Sequence, residues 1–180
     1  MCIRDRVIDI STPGSSVISA SIRTYGIGYD VAVSGGYAYV ANWTSGLLVI
    51  DINTPESPVI AGSIGTPDYA HGVAVSGDYA YVADYTLGLV IIDINTPASP
   101  AIVGSVNTPD RAQDVAVSGD YVYVADGNSG LQVIDMDTPE SPLIAGYVDT
   151  PDSACGVAVS GDYAYAVSYT HLTLPTTPYV

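Results

Sequence analysis

Val31-Ala32-Val33-Ser34-Gly35 returns at residues 73–77, 115–119 and 157–161, and every step is 42 residues without insertion or deletion. A second marker, Val-Ile-Asp or Ile-Ile-Asp, keeps the same step and ends at Asp9, Asp51, Asp93 and Asp135. A fixed period of this length describes a unit that cannot bury its apolar surface alone and must stack on copies of itself. The repeat therefore constrains the fold strongly and the function weakly.

One copy, residues 71–108, shows what the unit is. Val73-Ala74-Val75 is a short apolar run closed by Ser76-Gly77-Asp78, whose glycine supplies the positive φ of a tight hairpin turn. Tyr79-Ala80-Tyr81-Val82-Ala83 follows, rich in strand formers. Leu89-Val90-Ile91-Ile92-Asp93 is apolar at successive positions and so must be covered on both faces. Pro97 and Pro100 bar a central strand from the next turn, and Ala101 to Val106 forms a fourth strand. No unit has a helical period or room for a crossover helix. Four short antiparallel strands at this period predict an all-β fold, a β-propeller of four-stranded blades. A β-solenoid is the rival, but it uses much shorter rungs.

Leu48-Val49-Ile50-Asp51, Leu89-Val90-Ile91-Ile92-Asp93 and Leu131-Gln132-Val133-Ile134-Asp135, each preceded by Val-Ala-Val-Ser-Gly and Tyr-x-Tyr-Val-Ala, resemble LVIVD repeats. The resemblance covers essentially all of residues 7–166. It implies a secreted or surface propeller of prokaryotic type, without an enzymatic activity to carry over.

Both ends read as non-native. Residues 1–6, Met-Cys-Ile-Arg-Asp-Arg, are what the DNA ATG TGT ATA AGA GAC AG encodes. Its reverse complement encodes Val167-Ser168-Tyr169-Thr170-His171. That element resembles a transposase adapter, and residues 1–6 and 167–180 are therefore set aside. The expected propeller fragment is 7–166: a half blade at 7–24, blades at 29–66, 71–108 and 113–150, and a half blade at 155–166. Propellers have about four to eight blades, so a partial ring is expected, either an open arc or a strained closure through the two half blades.

The formal charge is −15, and the chain has no Lys. Only Arg23 and Arg111 remain outside the set-aside segments. Nucleic acid is not an expected partner, because its phosphates need a basic surface. No apolar run approaches a membrane span. Calcium is the one ion that the acidity leaves open; no other cofactor is expected.

Repetition also sorts candidate site residues, since positions identical in every blade serve the blade. Asp51, Asp93 and Asp135 are expected to cap turns, as are Asp68, Asp110 and Asp152. The position holding Tyr29, His71, Gln113 and Cys155 varies, and it lies at the entry to the innermost strand. Trp43 and Tyr85 match in adjacent blades and could grip a sugar ring or a protein. Tyr29, His71, Gln113, Trp43, Tyr85 and Arg111 form the expected ligand rim, with a protein or carbohydrate as partner. The main expectation is a non-enzymatic extracellular or cell-surface interaction scaffold, with no catalytic residues assigned. The alternative is a hydrolase or lyase at the central channel mouth, which gains if His71, Arg111, Asp114 and Asp30 converge within hydrogen-bond reach or if further blades carry more His and Glu.

Overall fold

The computed structural model describes residues 3–169; residues 1–2 and 170–180, all within the segments set aside above, lie outside the described residues. The described chain is all-β, and its one helical turn is a 3₁₀ turn at Pro13–Ser15.

Three four-stranded antiparallel blades form the body. The first contains β3 (Asp30–Ser34), β4 (Tyr37–Ala41), β5 (Leu47–Asp51) and β6 (Val59–Ile64). The second contains β7 (Gly72–Ser76), β8 (Tyr79–Ala83), β9 (Leu89–Asp93) and β10 (Ala101–Val106). The third contains β11 (Ala112–Ser118), β12 (Tyr121–Asp126), β13 (Leu131–Asp135) and β14 (Leu143–Val148). Strands pair in chain order within each blade. The register repeats as well: Tyr37 faces Asp51, Tyr79 faces Asp93 and Tyr121 faces Asp135.

A two-stranded ribbon flanks each side: β1 (Ile3–Asp9) with β2 (Val17–Thr24), and β15 (Ser153–Ser160) with β16 (Tyr163–Tyr169). The two ribbons do not join into one sheet. The propeller is thus an open arc. β1 includes residues 3–6 and β16 includes residues 167–169. Ribbon pairing uses only main-chain N–H and C=O groups, so these segments can join it whatever their origin.

The third strand of each blade carries the core, as its two-sided apolarity predicts. Leu47 and Val49 turn toward the second blade and meet Val73, Val82, Val90 and Ile92. Leu89 and Ile91 turn toward the third blade and meet Val115, Val122, Val124 and Ile134. Leu48 and Ile50 face the other way, toward Ile22 of β2. Each such Leu or Ile contributes about 1.5–3 kcal/mol of burial.

The outer edge of each interface is set by glycine. A Cβ on Gly62 would lie 2.3 Å from the carbonyl oxygen of Pro97 in the next blade's turn, and one on Gly104 would lie 2.0 Å from that of Pro139. At the innermost edge, Asp30 Oδ2 accepts the N–H of Val73 at 2.8 Å, and Asp114 Oδ2 accepts that of Val157 at 2.8 Å. The position alternates Asp30, Gly72, Asp114, Gly156 around the arc, and a Cβ on Gly72 would come within 2.8 Å of the Asp114 Cα. Carboxylate and gap alternate where the inner strands crowd together.

Candidate functional site

The loops joining the second and third strands share one rim with the connections that enter each innermost strand. Trp43 lies in such a loop in the first blade, Tyr85 in the second and Gly127 in the third, at equivalent repeat positions. Each of the three bridges to the residue leading into the next blade: Trp43 to Ala70, Tyr85 to Ala112 and Gly127 to Ala154. The bridge requires a left-handed backbone, with φ of 42° at Trp43, 37° at Tyr85 and 52° at Gly127. Glycine adopts it freely, whereas Trp and Tyr bear about 1–2 kcal/mol each. A large side chain is therefore kept at two positions where the backbone alone would favour glycine.

Buried carboxylates hold these loops in place. Asp84 Oδ2 accepts the N–H of Asp68 at 2.9 Å, and Asp68 Oδ2 in turn accepts the N–H of Thr86 at 3.0 Å and also its hydroxyl. The third blade repeats the relay: Asp126 accepts from Asp110 N–H at 3.0 Å and from the Thr108 hydroxyl at 2.6 Å, and Asp110 accepts from Asn128 N–H at 2.7 Å. In the first blade Asn42 takes the buried position and donates to the Tyr25 carbonyl at 2.8 Å. Burial pushes the Asp84 and Asp126 carboxyls above the usual carboxylate range, against hydrogen bonds that lower them. Asp51, Asp93 and Asp135 each accept the N–H two residues on, at 2.9, 2.8 and 2.9 Å. Asp51, Asp93 and Asp135 are thus turn clamps, and Asp68 and Asp110 are loop clamps.

On this frame stands a continuous aromatic row. Tyr29 stacks on His71 with centroids 4.5 Å apart, and His71 stacks on Tyr85 at 4.7 Å. Trp43 lies 6.4 Å from Tyr29 and 5.2 Å from Tyr69, and Tyr69 lies 6.3 Å from Tyr85. The Arg111 guanidinium closes the row, 5.4 Å from the Tyr85 centroid. Tyr29 keeps 51% of its surface exposed and Tyr69 keeps 39%. Burial holds the His71 imidazole below its ordinary pKa, opposed by the nearby Asp68 carboxylate.

Beneath the row, Tyr29, Asp30, His71, Gln113, Asp114 and Cys155 line a cavity of about 420 Å3 at the axis. Burial raises the Asp114 carboxyl, and the Asp30 charge adds to the rise, while the N–H groups of Val157 and Val115 lower it. Gln113 Nε2 donates to the Ala154 carbonyl at 3.4 Å.

The structure gathers all six expected rim residues: Tyr29, His71 and Gln113 at the cavity, and Trp43, Tyr85 and Arg111 in the row with Tyr29 and His71. Tyr69, which the expected rim omitted, is a full member. Among the described residues, no hydrogen bond links His71 to Asp30 or Asp114, and Arg111 lies outside the cavity lining. Among them, too, no group of three or more acidic, His or Cys side chains is arranged to hold a metal ion. No described helix is long and apolar enough to cross a membrane.

A family model described as LVIVD repeat matches residues 25–66, 67–108, 110–150 and 151–173. The chain belongs to the LVIVD-repeat family. Successive LVIVD matches begin within the connections that carry Tyr25, Tyr69 and Arg111, so the rim lies at the seams between repeats. The chain is similar in structure to two computationally designed proteins. Ika8 shares 11% identity at a TM-score of 0.69, over 86% of this chain and 47% of Ika8. The LVIVD chain thus spans about half the length of that neighbour. Ika4 shares 10% identity at a TM-score of 0.67, over 81% of this chain and 87% of Ika4. At these identities the likeness shows the fold alone. No curated protein matches the chain.

Proposed function

We propose that this LVIVD-repeat propeller is a non-enzymatic scaffold, extracellular or cell-surface in location, whose aromatic rim binds a protein or carbohydrate partner. The blades are the rigid part, and their loops present the variable part. The observation that carries this reading is the row of rings from Trp43 and Tyr29 across His71 and Tyr69 to Tyr85. Exposed, preorganised aromatic area of this kind is where interfaces concentrate binding energy. The location rests on the family resemblance.

The test is a panel of glycans and purified envelope proteins, probed with the parent chain and with the Tyr29→Ala/Tyr69→Ala variant. A saturable response that the variant loses supports the rim. Identical responses from parent and variant contradict it.

A second reading draws on the shared cavity of His71, Asp30 and Asp114, which suits general acid–base work by a hydrolase or lyase. Turnover of a polysaccharide by the parent, abolished in Asp114→Asn, would establish that reading and displace the first.

A further inference from the structure

We propose that the aromatic row receives cationic side chains, and that its partner is an arginine- or lysine-rich protein segment. This narrows the scaffold reading above, and rests on it, by naming the partner chemistry. Three observations lead to it. Trp43 and Tyr85 hold left-handed backbone conformations, φ 42° and 37°, at the position that glycine fills in the third blade. The turn itself does not need them, so the rings are retained for what they touch. The protein also provides its own example of the ligand: the Arg111 guanidinium sits 5.4 Å from the Tyr85 centroid, within cation–π range. Among the described residues no cation lies over Trp43, Tyr29 or Tyr69, so the rest of the row is open to one.

The third observation is charge. The chain carries −15 and no Lys, and the Asp68 carboxylate stands close enough to the row to act on His71. Such a field draws in basic segments and repels polyanions, and a neutral glycan would gain nothing from it. Aromatic faces backed by negative charge match ammonium and guanidinium groups on both counts.

The test uses the whole chain. Oligoarginine peptide is titrated by calorimetry at about 0.15 M salt, where long-range charge effects are screened. A neutral cello-oligosaccharide serves as comparison. Saturable binding of oligoarginine is expected, weakened about tenfold or more in Trp43→Gly/Tyr85→Gly. Glycine is the residue the third blade uses there, so the melting temperature should stay within a few degrees. Tyr69→Leu, outside the strained turns, keeps apolar bulk while removing a π face, and is expected to weaken binding severalfold. Unchanged affinity in both variants would overturn the proposal, because bare charge would then explain the binding. Binding of the oligosaccharide without oligoarginine would also overturn it, while leaving the scaffold reading standing. If the parent binds neither, this proposal fails, and the glycan and protein panel decides the scaffold reading separately.

Discussion

Asp30 reaches across the axis side of the first blade so that its Oδ2 accepts the N–H of Val73 at 2.8 Å in the second, while its Oδ1 accepts the N–H of Val31 at 2.8 Å. Asp114 does the same between the third blade and the β15–β16 ribbon, with Val157 at 2.8 Å and Val115 at 2.9 Å. These carboxylates staple neighbouring inner strands. Asp114→Ala leaves two N–H groups in the crowded centre without acceptors, at about 1–3 kcal/mol each where water cannot reach them. Denaturant unfolding should show a loss of about 2 kcal/mol or more. A loss below the measurement error would mean that water or backbone replaces the carboxylate.

The buried carboxylates and His71 pull the pH dependence of stability in opposite directions, each in its own window. Asp84, Asp114 and Asp126 have folded pKa values raised above the ordinary carboxylate value of 3.8. The folded state therefore binds more protons than the unfolded chain between that value and the raised ones, and stability falls as pH rises through this window. His71 acts oppositely: its folded pKa is lowered from 6.5, so stability falls as pH drops through that region. The denaturation midpoint should therefore fall as pH rises just above 3.8, where these carboxylates ionise, and rise with pH through the region just below 6.5, where the imidazole loses its proton. His71→Gln, which copies Gln113, should remove the rise below 6.5 and leave the carboxylate window unchanged. A rise below 6.5 that survives in His71→Gln would contradict this assignment.

The β1 ribbon contains a correctable defect. Asp5 and Arg6 occupy the repeat positions of Leu47 and Leu48, which are buried in the first blade. Asp5 Oδ2 is buried without a hydrogen-bond partner, and a cavity of about 430 Å3 opens beside it between Val7, Ile22 and Val40. Asp5→Leu should raise stability by about 1–3 kcal/mol, from burial of one side chain and removal of an unpaired carboxylate oxygen. Thermal melting would register this as a clear upward shift. No shift would mean that the ribbon does not pack on the first blade in solution.

Much of this architecture was legible in the sequence because repetition reports it several times over. Leu89-Val90-Ile91-Ile92 announced a strand covered on both faces, and the structure sends Leu89 and Ile91 to one neighbour and Val90 and Ile92 to the other. The variable position of Tyr29, His71, Gln113 and Cys155 pointed to the axis for the same reason. What escaped was geometry without a local signature. The left-handed backbone of Trp43 and Tyr85 is hinted at only by Gly127. The Asp30 staple joins residues 43 apart, and nothing near Asp30 marks its acceptor role; only the Asp–Gly alternation with Gly72, Asp114 and Gly156 could have revealed it. Tyr69 was passed over because its ring joins the row through tertiary placement, beside Trp43 and Tyr85 of two different blades.

The wedging of blade against blade is tested most directly by one pair of substitutions at equivalent repeat positions. A Cβ on Gly104 would meet the Pro139 carbonyl oxygen of the next blade at 2.0 Å, while a Cβ on Gly146, where no complete blade follows, meets nothing within 4 Å. Denaturant unfolding of Gly104→Ala should show a loss of about 2 kcal/mol or more, because the neighbouring turn must be pushed away. Gly146→Ala should stay within about 0.5 kcal/mol of the parent. Equal effects of the two substitutions would contradict the side-by-side packing of the second and third blades.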